Sequence, residues 1–226
     1  MKRQLLVLLA DARKRLREQD SGLFGVEERW SDLVTFSGKH GKRLRQRFDQ
    51  ASSATWYFIT HDPHAFATWL GRESELRSIA SKVSRSNISV VWVFHGEELY
   101  ASQRPLLVVN APEDGVTYSP GMHLLRNAST SNSNRWLVLS SQVPHFYLAF
   151  LSVPDVPRNS EDHAPAGTFG FVQPYLLAPR SYAARAGLYL EANGDSANQF
   201  LVDYYYKSIV DFVRIGQEQG WLTQTS

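Results

Sequence analysis

The chain is 226 residues long, and its 43% hydrophobic and 12% aromatic content supports a globular core and excludes a disordered polymer. It has no cysteine, which removes disulfides, thiolate nucleophiles, iron–sulfur clusters and thiolate zinc sites together. The net charge of +2 is too small to imply a polyanionic partner, but residues 1–47 carry twelve Lys/Arg against six Asp/Glu, or +6, which leaves −4 for the remainder.

The opening Met1–Ala10 combines a basic lead with an apolar run, yet the run is short and continues into the charged segment Asp11–Arg17, so a leader peptide is not expected. Leu5, Leu9, Ala12 and Leu16 recur at helical spacing, as in a packing, dimerisation or membrane-surface helix. A second helix is expected over Val26–Phe36, broken by Ser37-Gly38. Next comes the densest charge run, in which Lys39, Lys42, Arg43, Arg45 and Arg47 are candidates for nucleic-acid contact, although no helix-turn-helix or zinc finger frames them. Residues 1–52 therefore read as a basic helical N-terminal region.

From Thr55 the pattern becomes strand, helix, strand. Thr55–Thr60 and Ile88–Phe94 are near-continuous apolar runs, as in parallel strands buried on both faces. Between them Leu76, Ile79, Ala80 and Val83 share one helical face. A short strand is expected at 105–109, then polar loops to Asn134. Arg135–Ser140 and Phe146–Ser152 are separated by five residues and predict an antiparallel hairpin. Strands over Thr168–Leu177 and Arg185–Leu190 follow. A helix over Ser196–Gln219 closes the chain, with Phe200, Leu201, Tyr204, Ile209, Phe212 and Val213 as its apolar face. Tyr204-Tyr205-Tyr206 must spread around that helix, so at least one is exposed or at an interface. Residues 53–226 thus read as one α/β domain, a mixed β-sheet with flanking helices.

The best candidate site is at the strand ends. His61, Asp62 and His64 follow the first apolar strand, while His95 and Glu97 close the second, and open α/β sheets place ligands at that edge. Such a set could bind a small ligand, hold a divalent metal or act in acid–base chemistry. The plainer alternative is a turn at Asp62-Pro63 that caps a helix. No GxxxxGK[ST], GxGxxG or GxSxG pattern is present, so no catalytic residue and no cofactor is assigned.

The order of elements from Ser53 onward resembles the phospholipase D-like superfamily, and more narrowly its small, catalytically inert regulatory members. The likeness rests on Trp56–Phe94, on Arg135–Ser152, and on Phe171–Tyr175 with Ala186–Leu190 and the aromatic helix Phe200–Ile215. It implies a sandwich of that type and a cleft. Active members carry His-x-Lys followed by Asp, with histidine as the nucleophile and lysine on the phosphate. Here the only such triplet is His40-Gly41-Lys42, ahead of the sheet, and Arg47 stands where the aspartate belongs. The resemblance therefore implies a scaffold without hydrolysis.

The leading expectation is a cytoplasmic, non-catalytic regulatory or sensor domain, possible as a homodimer. It would hold a small-molecule ligand or protein partner near His61, Asp62, His64, His95 and Glu97, with no role at a membrane. A metal-assisted phosphodiesterase or nuclease using the same cluster, and a nucleic-acid-binding protein using Lys39–Arg47, are the alternatives.

Overall fold

The computed structural model describes residues 26–29, 36–60, 87–96, 134–140, 146–156, 163–174, 186–192 and 196–224. In chain order these form β1 (Val26–Arg29), α1 (Gly38–Gln50), β2 (Ser53–Thr60), β3 (Asn87–His95), β4 (Asn134–Leu139), β5 (Phe146–Pro154), β6 (Phe169–Pro174), β7 (Ala186–Glu191), α2 (Ser196–Glu218) and β8 (Leu222–Gln224). The described strands make one sheet in the order β1-β7-β6-β5-β2-β3-β4-β8.

β2 and β3 pair in parallel, with Trp56 opposite Val90 and Phe58 opposite Trp92, as their apolar runs predict. β4 joins β3, again parallel, and the remaining described pairings are antiparallel, so the sheet is mixed. The expected hairpin of residues 135–152 does not form. β4 lies between β3 and β8 while β5 lies between β2 and β6, which puts two strands between them. A five-residue connection permits a hairpin, but cross-strand partners decide pairing. Trp136 aligns with Trp92 and Phe150 with Phe58.

The helix expected over Val26–Phe36 is also corrected, because Val26–Arg29 is the edge strand β1, antiparallel to β7. The unpaired backbone of β7 offers a ladder that outweighs a weak local preference for helix. Phe36 and Gly38 then take left-handed φ values of 53° and 67°, turning the chain into α1. The expected helix over Lys2–Arg17, the helical face Leu76–Val83 and the strand 105–109 fall outside the described residues.

The period-2 alternation of the strands separates two faces. On one, Ile59, Val91, Val93, Leu137 and Leu151 pack against Val202, Tyr206, Ile209 and Val213 of α2. The span of α2 is as expected, and of its expected inward face Ile209 and Val213 are buried and Leu201 and Phe212 pack against the core, but Phe200 and Tyr204 are 69% and 48% exposed and Val202 and Tyr206 are buried in their stead. Gly216 lies so close to Trp221 and Leu222 that an added Cβ would meet them at 2.6 Å, and Gly220 with φ 76° reverses the chain into β8. Asp203 of α2 fixes the segment before β6, accepting hydrogen bonds from the backbone N–H of Ala164 at 2.9 Å and from Gln199 Nε2 at 2.7 Å, and facing His163 Nδ1 at 2.8 Å.

The opposite face is aromatic. Tyr189, Phe171, Phe150, Phe58, Trp92 and Trp136 are register partners on six adjacent strands, β7-β6-β5-β2-β3-β4. Phe58 and Trp92 stack at 4.5 Å, and Trp92 and Trp136 at 5.3 Å. Phe48 of α1 lies on this row, 4.7 Å from Phe150 and 5.0 Å from Trp56. Each such pair contributes about 0.5–1.5 kcal/mol beyond the area it buries.

Candidate functional site

β2, β3, β4 and β6 run in the same direction, so their carboxyl ends share one edge of the sheet. Three buried polar side chains end there: Thr60 on β2, His95 on β3 and Gln173 on β6, each 3% exposed or less. Thr60 and Gln173 both lie opposite Leu148, which puts them in one row, two strand spacings or about 10 Å apart. Thr60 follows Phe58 by two residues and Gln173 follows Phe171 by two, so both stand on the aromatic face. His95 follows Val91 and Val93 in the same way and belongs to the α2 face. Beyond His95, the Gly96 N–H donates to Leu139 O at 2.8 Å, carrying the β3–β4 ladder to the rim. On β4 the rim closes with Ser140, whose N–H and hydroxyl both donate to Trp221 O.

The electrostatics of this edge are those of a dry site. Burial lowers the pKa of His95 to about 4, so its imidazole is neutral at physiological pH. Neither amide atom of Gln173 has a hydrogen-bond partner in the protein. A primary amide offers two donors and a two-lone-pair acceptor, and leaving such a buried group unpaired costs about 1–3 kcal/mol. That makes Gln173 the group at this edge with the most unused hydrogen-bonding capacity.

Of the residues expected here from sequence, the structure places His95 at the rim, on the α2 face. His61, Asp62, His64 and Glu97 lie outside the described residues. Thr60 and Gln173 were not singled out by pattern. The only trace of Gln173 is a lone polar residue in the alternation Phe169, Phe171, Gln173, which an inward-facing amide would produce. Among the described residues no group of three or more His, Asp or Glu side chains could hold a metal ion.

The basic run forms α1, where its charges divide. Arg43 Nε and Arg47 Nη2 both pair with the carboxylate of Glu191 on β7, and Arg47 Nε donates to the same Oε1 at 2.7 Å. Tyr189 Oη donates to Glu191 Oε2 at 3.0 Å. Burial alone would raise the pKa of Glu191, but hydrogen bonds from Arg43, Arg47 and Tyr189 outweigh it and hold the carboxyl below its ordinary range. Reciprocally, the hydrogen bond to Glu191 raises Arg43, and burial raises the Tyr189 phenol. Arg45 pairs with Asp49 at 3.2 Å and lies 5.5 Å from the Phe36 ring centroid. Lys39 and Lys42 are exposed. Three of the five candidate nucleic-acid contacts therefore have protein carboxylates as partners. The His40 ring lies 5.3 Å from Tyr189, beside the same cluster.

No protein-family model and no curated protein matches the chain. Among the described residues no helix is long and apolar enough to cross a membrane.

Proposed function

We propose that the protein is a cytoplasmic, non-catalytic regulatory or sensor domain that binds a small polar molecule at the carboxyl edge of β2, β3 and β6. The observation that carries this reading is Gln173, buried with its whole amide unpaired, in one row with Thr60 and beside the aromatic row. A folded chain retains an unpaired buried amide at a cost, and a bound polar ligand offsets that cost by supplying the missing partners. His95, neutral under physiological conditions, stands on the other face of the same edge. His61, Asp62, His64 and Glu97 adjoin the ends of β2 and β3 in sequence and lie outside the described residues.

The resemblance to inert phospholipase D-like regulators fits this reading. Arg47, at the position of that family's aspartate, serves as an ion-pair partner of Glu191, and His40 and Lys42 sit on the same helix. A hydrolytic site built on that triplet is not part of the proposal.

The test is the substitution Gln173→Leu, which keeps the volume and removes the amide. Free Gln173→Leu protein should be more stable than wild type in urea by about 1–2 kcal/mol, because an unpaired amide is replaced by a methyl-bearing side chain. A panel of nucleobases, carboxamides and sugars is then screened by thermal shift. Compounds that raise the midpoint of the wild type should fail on Gln173→Leu. A loss of stability in the free variant, or equal shifts in both proteins, would refute the assignment.

A further inference from the structure

The chemistry of Gln173 narrows the ligand to one class, an inference that rests on the binding reading above. Nε2 and Oε1 of Gln173 are both buried without a hydrogen-bond partner among the described residues. They lie on one edge of a planar carboxamide, a donor beside an acceptor. Asn198, the other buried amide among the described residues, differs: its Nδ2 donates to Glu191 O at 3.4 Å, and Oδ1 alone is left over. The surroundings of Gln173 are apolar and aromatic. Phe171 stands two residues earlier on the same face, Phe58 is in the row of Phe171, and Phe94 is the register partner of Thr60. Glu191 is the one buried carboxylate among the described residues. It lies opposite Phe169, four residues or about 13 Å down β6 from Gln173, and Arg43 and Arg47 already pair with it.

We propose that the ligand is a neutral, planar heterocycle that meets Gln173 through an adjacent donor and acceptor, the edge that adenine and uracil carry. A carboxylate or phosphate offers acceptors only, so it would serve Nε2 and set negative charge against Oε1. A cation would serve Oε1 and leave Nε2 without a partner. Either ion would also lose its hydration where no described residue supplies a countercharge. A sugar hydroxyl can serve either atom, yet the remaining hydroxyls would face phenyl rings without partners. A nucleobase edge satisfies both atoms at once, as glutamine and asparagine do when they read adenine in nucleic acids. Its ring is flat and aromatic, which suits the neighbouring phenylalanines.

Ligand-observed NMR and calorimetry on the full chain test this with 9-methyladenine, uracil and the fully N-methylated counterpart of each, which keeps the plane and the acceptors but has no N–H. Benzoate, benzamidine and glucose serve as the anionic, cationic and sugar probes. Wild type should bind 9-methyladenine or uracil, and the N-methylated counterpart about tenfold more weakly or worse. Gln173→Leu and Gln173→Glu should both lose the base, with circular dichroism reporting that each variant is folded. The comparison of each base with its N-methylated form is made on wild type and needs no variant. Equal affinity for a base and its N-methylated form would overturn the proposal. Tighter, Gln173-dependent binding of benzoate, benzamidine or glucose would overturn the ligand class and leave binding at this edge standing. Silence of every probe on wild type would overturn both.

Discussion

On the α2 side of the sheet the core is mainly aliphatic, with Tyr57 and Tyr206 set among Val, Ile and Leu, whereas on the α1 side aromatic rings are aligned strand by strand and bordered by a buried charge cluster. The first face needs only apolar residues of suitable volume at alternate positions, and cores of that kind tolerate exchange. The second depends on register, since a slip of one residue would move the whole row to the other face. Stability drawn from the aromatic side is accordingly more concentrated in single residues.

The largest effect should come from cutting the aromatic row at its centre. Phe150 is fully buried and touches Phe48, Phe58 and Phe171, so Phe150→Ala should cost about 3–5 kcal/mol in urea unfolding. Ile209→Val, on the α2 face, should cost only about 0.5–1.5 kcal/mol. Comparable losses from Ile209→Val and Phe150→Ala would erase the distinction between the faces.

Next is Glu191, which is 1% exposed and ties β7 to α1. Glu191→Ala leaves Arg43 and Arg47 facing a void, and should cost about 3 kcal/mol, towards the low end for a broken buried pair because both arginines reach solvent. Arg45→Ala, which breaks the surface pair with Asp49, should cost about 0.2–1 kcal/mol. If the two changes cost the same at neutral pH, Glu191 is not a clamp.

Titration separates the charge cluster from the strand-end site. The Glu191 carboxyl is held below its ordinary range, so its stabilisation is present above the unfolded value near 4.5 and is lost as pH falls through the lower folded value. His95 acts earlier. Its folded pKa of about 4 lies below the ordinary 6.5, so between those values the unfolded chain binds more protons and stability falls as the solution is acidified. The full drop is roughly 3 kcal/mol. Chemical denaturation from pH 7 to pH 4 should show this slope in wild type and a flatter one in His95→Gln. An unchanged slope would mean that His95 titrates normally. A smaller effect is expected from Tyr189→Phe, which removes one of the hydrogen bonds to Glu191 and should cost about 1 kcal/mol at pH 7.

Part of this was legible beforehand. The runs Thr55–Thr60 and Ile88–Phe94 announce parallel, doubly buried strands, and the spacing over Ser196–Gln219 announces α2. Of the expected inward face of α2, Leu201, Ile209, Phe212 and Val213 lie on the core, whereas Phe200 and Tyr204 are exposed, because apolar character does not reveal which side of a helix meets the sheet. The pairing of Arg135–Ser140 with Phe146–Ser152 was misjudged because closeness in sequence is only one of the influences on strand order. At the candidate site, His95 was visible as a polar end to an apolar run. Gln173 was not, since its significance lies in what fails to reach it.

Local pattern therefore determined most of the described strands and helices, though not the edge strands β1 and β8, because side-chain periodicity is a property of a few neighbouring residues. Tertiary structure decided which strands became neighbours, which arginines of the basic run turned to Glu191, and which buried amide was left without a partner. Those outcomes depend on groups such as Arg47 and Glu191, 144 residues apart, whose encounter is fixed only when the sheet assembles.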